Sequence, residues 1–175
     1  MINLYLIRHG LAGERDQYPD DRLRPLTEEG EKKTRQVAKS LRKLGLHFDL
    51  LQTSPLLRAT QTAQILVEVF GNGLTAVENP LLAPEGDLEE NLHKWLTAIE
   101  ANFEQWQAQN FSLGLVGHEP DLTGWAEMLL WGDIKGALVL KKAGIIGITL
   151  ADSLPLVGNC YLFLLAPPKL LLAYG

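Results

Sequence analysis

Leu4-Tyr5-Leu6-Ile7-Arg8-His9-Gly10 is an apolar run that ends in an arginine, a histidine and a glycine. The pattern recurs in Leu113-Gly114-Leu115-Val116-Gly117-His118, where a second apolar run delivers a second histidine. Short apolar runs bounded by turn residues read as strands, and ligands of open α/β sheets gather outside the carboxyl ends of such strands. A third run, Leu50 to Thr53, leads into Ser54-Pro55-Leu56-Leu57-Arg58 and brings an arginine close behind it. Two histidines and two arginines at strand ends point to an anion site that contains a nucleophile.

Working outward, further strands are expected over Ile2 to Ile7, Thr75 to Val77, Gly144 to Leu150 and Tyr161 to Leu165. Helices fall between most of them. The first begins at the N-cap Thr27, is followed by the dipole-favoured Glu28 and Glu29, ends near Gly45, and carries the stripe Val37, Ala38, Leu41, Leu44. The second takes Ser54 as N-cap and Pro55 as first helical residue, with Ala59, Ala63, Leu66 and Phe70 inward. The third opens at Asp87 with Glu90 in capping-box spacing and carries Leu88, Leu92, Trp95, Ile99, Phe103 and Trp106 as one stripe. The fourth runs from Pro120 to Trp131 and stops at Gly132.

This alternation predicts an α/β fold, a three-layer α/β/α sandwich with a mainly parallel central sheet, in a single domain over residues 1–175. The two strands after Gly144 are separated only by the turn-rich 151–159 and are expected to add an antiparallel pair at one side. The apolar segments 160–166 and 170–173 are too short to span a bilayer and read as core or edge strand.

Composition narrows the function. The chain has 175 residues, 46% of them hydrophobic, which suffices for one large core. A formal charge of −5 argues against nucleic acid or an anionic membrane as partner. Cys160 is the sole cysteine, which excludes an internal disulfide and a cysteine-based metal site. The N-terminus enters a strand without signal-peptide features, so a cytoplasmic location is expected.

A lone histidine after a strand is usually structural. Two that share a strand end with Arg8 and Arg58 are another matter. Guanidinium makes paired, charge-assisted hydrogen bonds to phosphate and stays charged at any working pH. Neutral imidazole attacks phosphorus, and neighbouring arginine charges should keep it neutral in the empty site. A backbone acceptor on the second ring nitrogen would fix the attacking tautomer. Phosphoryl transfer otherwise needs positioning and charge stabilisation, so this scheme requires no metal or cofactor.

Four ordered motifs carry a resemblance: Leu6-Ile7-Arg8-His9-Gly10; Arg24-Pro25-Leu26-Thr27 with Gly30; Thr53-Ser54-Pro55-Leu56-Leu57-Arg58-Ala59 with Gln61-Thr62-Ala63; and Val116-Gly117-His118-Glu119-Pro120-Asp121-Leu122. Together they resemble the histidine phosphatase superfamily, also called phosphoglycerate mutase-like, and most of all its short SixA-type phosphohistidine phosphatases. The resemblance implies that His9 is transiently phosphorylated and that Arg8, Arg58 and His118 complete the phosphate pocket.

Two positions are open. Glu85 lies in a loop where many members of the superfamily carry an acidic proton donor, although SixA-type members generally lack one, and it also reads simply as a solvated loop residue beside the helix cap Asp87. Imidazole leaves from phosphorus with a conjugate-acid pKa of about 6.5 and needs little help, whereas an alkoxide needs an acid. Arg24 is a substrate-side candidate or one more solvated charge. His47 and His93 belong to no motif. The expected activity is hydrolysis of a histidine-phosphorylated protein domain. The alternatives are a phosphomonoesterase acting on a small phosphate ester and a non-enzymatic phosphate-binding module.

Overall fold

The computed structural model describes residues 1–173. Six strands form one sheet in the order β3-β2-β4-β1-β5-β6. They are β1 (Asn3–Arg8), β2 (Leu50–Thr53), β3 (Ala76–Glu78), β4 (Ser112–Gly117), β5 (Ile145–Thr149) and β6 (Tyr161–Ala166). The pairs β3·β2, β2·β4 and β4·β1 are parallel, while β1·β5 and β5·β6 are antiparallel. The expected antiparallel addition is therefore present at one edge of a mostly parallel sheet.

Alternation along the central strands builds two cores. Leu4, Leu6, Leu113, Leu115, Ile146 and Ile148 face one, and Tyr5, Ile7, Val116 and Ile145 face the other. Helices α1 (Glu28–Lys43) and α2 (Leu57–Phe70) cover the second face through Val37, Ala38, Leu41, Ala59, Ala63 and Leu66. Helices α3 (Leu88–Glu100), α4 (Phe103–Gln109) and α5 (Asp121–Trp131) cover the first, where Trp95 and Trp125 pack with ring centroids 5.4 Å apart. Both tryptophans are almost fully buried, so each contributes about 3–5 kcal/mol against truncation to alanine.

Capping follows the sequence at α1, where the Thr27 side chain accepts from the Gly30 N–H, and at α3, where Asp87 accepts from the Glu90 N–H. Four expectations are corrected. Helix α2 starts at Leu57, because Ser54, Pro55 and Leu56 form an extended turn, so Ser54 is not its N-cap. The single third helix divides at Ala101 and Asn102 into α3 and α4, though its apolar stripe continues through Phe103. Leu44 is exposed rather than part of the α1 stripe. Residues 170–173 belong to a short helix, α6 (Pro168–Ala173), which lays Leu171 on the α1 side of the sheet. Here Pro168 at the helix start presets the backbone, which outweighs the apolar run's strand character. Among the described residues no helix is long and apolar enough to cross a membrane.

Candidate active site

The β1·β4 register pairs Arg8 with Gly117, so the next residue of each strand is a histidine and the two lie side by side. The His9 N–H donates to the Gly117 carbonyl at 3.1 Å, and the ring centroids of His9 and His118 are 5.0 Å apart. Both rings are buried. Neighbouring strand β2 ends at Thr53, and its turn hands the chain to α2, whose second residue is Arg58. Three parallel strands thus bring His9, His118 and Arg58 to one end of the sheet.

The turn after β1 is tightly held. The Gly10 N–H donates to the Thr62 hydroxyl at 3.1 Å, and that hydroxyl donates to the Arg58 carbonyl at 2.7 Å. A β-carbon on Gly10 would collide with Thr34 Oγ1, and one on Gly30 with the Leu11 carbonyl. Gln61 accepts from the Leu26 N–H at 2.7 Å, which anchors the loop that carries Arg24. Gly30, Gln61 and Thr62 therefore serve the same purpose: they dock the two loops against α1 and α2.

His9 Nδ1 lies 2.7 Å from the Gly10 carbonyl oxygen. A carbonyl can only accept, so Nδ1 carries the proton and Nε2 keeps a free lone pair. The His9 pKa is lowered to about 3, foremost by burial and next by repulsion from His118, with Arg58 and Arg8 adding less and the Gly10 hydrogen bond opposing them. The arginines thus favour the neutral ring as expected, but burial does more. His118 is also lowered to about 3, by burial first and then by Arg58. Its Nε2 is 2.8 Å from the Ser54 hydroxyl, and its buried Nδ1 has no partner among the described residues.

Arg58 is almost wholly buried, and Arg8 is partly so. Arg8 Nη1 donates to the Leu140 carbonyl at 2.9 Å, and the Nε of both arginines is buried with no partner among the described residues. Arg24 is not a loose surface charge. Its Nε donates to Asp21 Oδ1 at 2.9 Å and its Nη1 to the Gly13 carbonyl at 3.0 Å. All three arginines, both histidines and Glu85 line one cavity of about 600 Å³, with Arg15, Arg22 and Lys142 at its mouth. Glu85 is mostly solvated at the rim, 3.9 Å from Arg22. His47 and His93 lie elsewhere. Among the described residues no cluster of three histidine, cysteine or carboxylate side chains is placed to hold a metal ion.

Sequence reasoning missed four contributors. Asp21 accepts from both Arg58 and Arg24, and its position three residues before Arg24 was the available signal. Ser54 was read as a cap and instead meets His118. Glu119 lines the cavity, with its carboxylate bonded to the Thr123 hydroxyl at 2.9 Å; burial pushes its pKa up while the Thr123 bonds pull it down. The fourth is Glu127. This buried carboxylate accepts from the N–H groups of Lys135, Gly136, Ala137 and Leu138 at 2.5, 2.7, 2.6 and 2.8 Å, and so shapes the loop that presents the Leu140 carbonyl to Arg8.

Comparison with known proteins agrees with this geometry. An uncharacterised protein of Picosynechococcus sp. is 45% identical over 174 residues, covering 98% of this chain and 99% of that protein. The solved structure of the protein histidine phosphatase SixA complexed with tungstate matches with a TM-score of 0.77 at 23% identity, over 95% of this chain and 97% of that one. A phosphoglycerate mutase of Bacillus anthracis matches with a TM-score of 0.71 at 16% identity, over 97% and 95%. The family model for histidine phosphatase superfamily (branch 1) covers residues 4–121, which include both strand-end histidines and Arg58. By fold and by sequence, the chain belongs to the histidine phosphatase superfamily, branch 1.

Proposed function

We infer that this chain hydrolyses phosphohistidine on a protein substrate, through a covalent phosphohistidine on its own His9. Membership of the superfamily makes the chemistry that of a phosphatase or mutase. The observation that carries the finer reading is the His9 Nδ1 contact with the Gly10 carbonyl, which leaves Nε2 as the nucleophilic nitrogen in a pocket lined by Arg8 and Arg58. The Nε2 lone pair forms a bond to phosphorus while the bond to the substrate nitrogen breaks; the electron pair stays with the substrate ring, which leaves as neutral imidazole because its other nitrogen carries a proton. Arg8 and Arg58 hold the equatorial oxygens, on which charge is concentrated. Water then attacks phosphorus, the bond to His9 breaks, its electron pair returns to Nε2, and His118 takes the proton of the attacking water. Burial first, and then repulsion from Arg58, keep His118 neutral when the pocket is empty; a dianion there opposes that repulsion and so raises the affinity of His118 for the proton.

The loops around the mouth, 14–24 and 80–87, hold only single turns of 3-10 helix, which leaves room for a side chain presented by a folded partner. The likeness to a protein histidine phosphatase supports the same substrate class. Incubation with a ³²P-labelled phosphohistidine protein should leave label that is acid-labile and base-stable, lost in His9→Ala. Unchanged turnover by His9→Ala would sink the covalent step.

A second reading has its own observation. The carboxylates that line the cavity include Glu85 and Glu119, and an acid there would serve an alkoxide leaving group, hence a small phosphate ester. Turnover of a sugar phosphate faster than of a phosphohistidine domain, with a large loss in Glu85→Gln or Glu119→Gln, would favour this alternative.

A further inference from the structure

Beside the catalytic pocket lies a second cavity of about 450 Å³ that shares Arg8 and Lys142 with it. Among the described residues its other charged groups are Lys33, Lys141 and Lys169, and no carboxylate side chain lines it. None of the four lysines forms an ion pair among the described residues. On a chain of net charge −5 this is a concentrated, unneutralised patch of positive charge. Its lysines come from three places in the fold: α1, the segment before β5, and the start of α6. Such self-repulsion is offset when an anionic partner occupies the groove.

We propose that this groove binds an acidic segment of the phosphorylated protein and thereby selects substrates with Asp or Glu near the phosphohistidine. The inference rests on the phosphohistidine reading above. Charge complementarity identifies the partner's sign. The floor identifies its kind: Leu11, Ala143, Pro167 and Pro168 offer apolar contact, which suits a polypeptide with interspersed side chains better than a uniform sugar-phosphate chain. The groove leads to Arg8, so a segment lying in it would flank the residue whose phosphoryl group enters the pocket.

The test uses the full chain and a Lys33→Glu/Lys169→Glu double variant, since neither residue lines the catalytic pocket. Two synthetic phosphohistidine peptides, one flanked by Asp and Glu and one by Ser and Gln, are compared with phosphoramidate as a small substrate. The unaltered enzyme should show a kcat/KM roughly tenfold higher for the acidic peptide at low salt, shrinking at high salt as exposed charges are screened. The double variant should lose that preference and keep its phosphoramidate turnover. Equal turnover of the two peptides by the unaltered enzyme, or an equal loss on all three substrates in the variant, overturns the proposal. If neither peptide is hydrolysed, the phosphohistidine reading fails, and the groove is judged by fluorescence anisotropy with the unphosphorylated acidic peptide. Lysine-dependent binding of that peptide then supports the groove's preference for acidic segments; no binding, or tighter binding of a single-stranded oligonucleotide of equal charge, overturns it.

Discussion

The carboxylate of Asp21 is bonded to the guanidinium of Arg58: Nη2 donates to Oδ2 at 3.0 Å, while Nη1 donates to the Asp21 main-chain carbonyl at 2.8 Å. An internal anion therefore holds donors that an incoming phosphate would use. Arg24 holds the other carboxylate oxygen. Asp21→Asn keeps an acceptor but removes the charge, so inorganic phosphate should inhibit the variant at concentrations roughly three- to tenfold lower. Unchanged or weaker inhibition would show that Asp21 organises the arginines more than it competes for them.

Two neutral buried histidines set the acid behaviour. With both pKa values lowered to about 3, neither ring should titrate between about pH 5 and 8 in the empty enzyme, as imidazole NMR resonances would report. Above the ordinary histidine pKa of about 6.5 both folded and unfolded states are neutral and the pair imposes no pH dependence. Below it the unfolded chain binds protons that the native pocket refuses, so stability falls as pH drops from about 6.5 toward 3, and the pair's contribution levels off below that. Urea midpoints at successive pH values measure this. His118→Asn should flatten the slope. A midpoint near pH 6.5 for either native ring would contradict the assignment.

Ser54→Ala removes the hydroxyl 2.8 Å from His118 Nε2. One lost hydrogen bond to a buried ring costs about 1–1.5 kcal/mol of positioning, close to tenfold in rate. The loss should fall on kcat, with KM and phosphate inhibition nearly unchanged, because Arg8 and Arg58, the proposed phosphate ligands, are untouched. A matching rise in KM would place Ser54 in substrate binding instead.

Glu127→Gln replaces a carboxylate that accepts from four main-chain N–H groups by an amide that accepts through one oxygen only. Leaving buried donors unpaired costs about 1–3 kcal/mol each, so the midpoint of thermal unfolding should drop by several degrees. Burial acts to raise this carboxyl, but the four N–H donors win and hold it below the usual glutamate range. Its stabilising contribution is therefore present above the unfolded-state pKa and is lost as pH falls below it. Activity should also decline at temperatures where the variant remains folded, because the loop carries the Leu140 carbonyl that orients Arg8. A variant with full activity would break that link.

Much of this was legible before the structure. The strands appear within a residue or two of where alternation places them, because β1, β4 and β5 are buried on both faces and burial leaves an unbroken apolar signature. His9, His118, Arg58 and Arg8 converge as their strand-end positions imply. What escaped involves groups whose partners are distant in sequence. Ser54 has ordinary capping chemistry, and only the arrival of His118 from another strand redirects it. Glu127 looks like the polar residue of an amphipathic helix until the following loop folds back over it. The α3/α4 break at Ala101 and Asn102 leaves the hydrophobic period intact, so periodicity could not reveal it. Asp21 was within reach, since spacing alone pairs it with Arg24, but its bond to Arg58 required α2 to be placed.

The sheet order has a consequence for how the pocket comes into being during synthesis. Strand β1 lies between β4 and β5, both encoded far downstream, so His9 emerges well before the strands that come to flank it. Its main-chain acceptor Gly117, its neighbour His118 and the Leu140 carbonyl that holds Arg8 all follow later. A nascent chain long enough to form α1 and α2 holds Arg8, His9 and Arg58 without the strand that separates β1 from β2. Such central, non-local pairing delays assembly. His9 therefore meets His118 only when most of the sheet has been made.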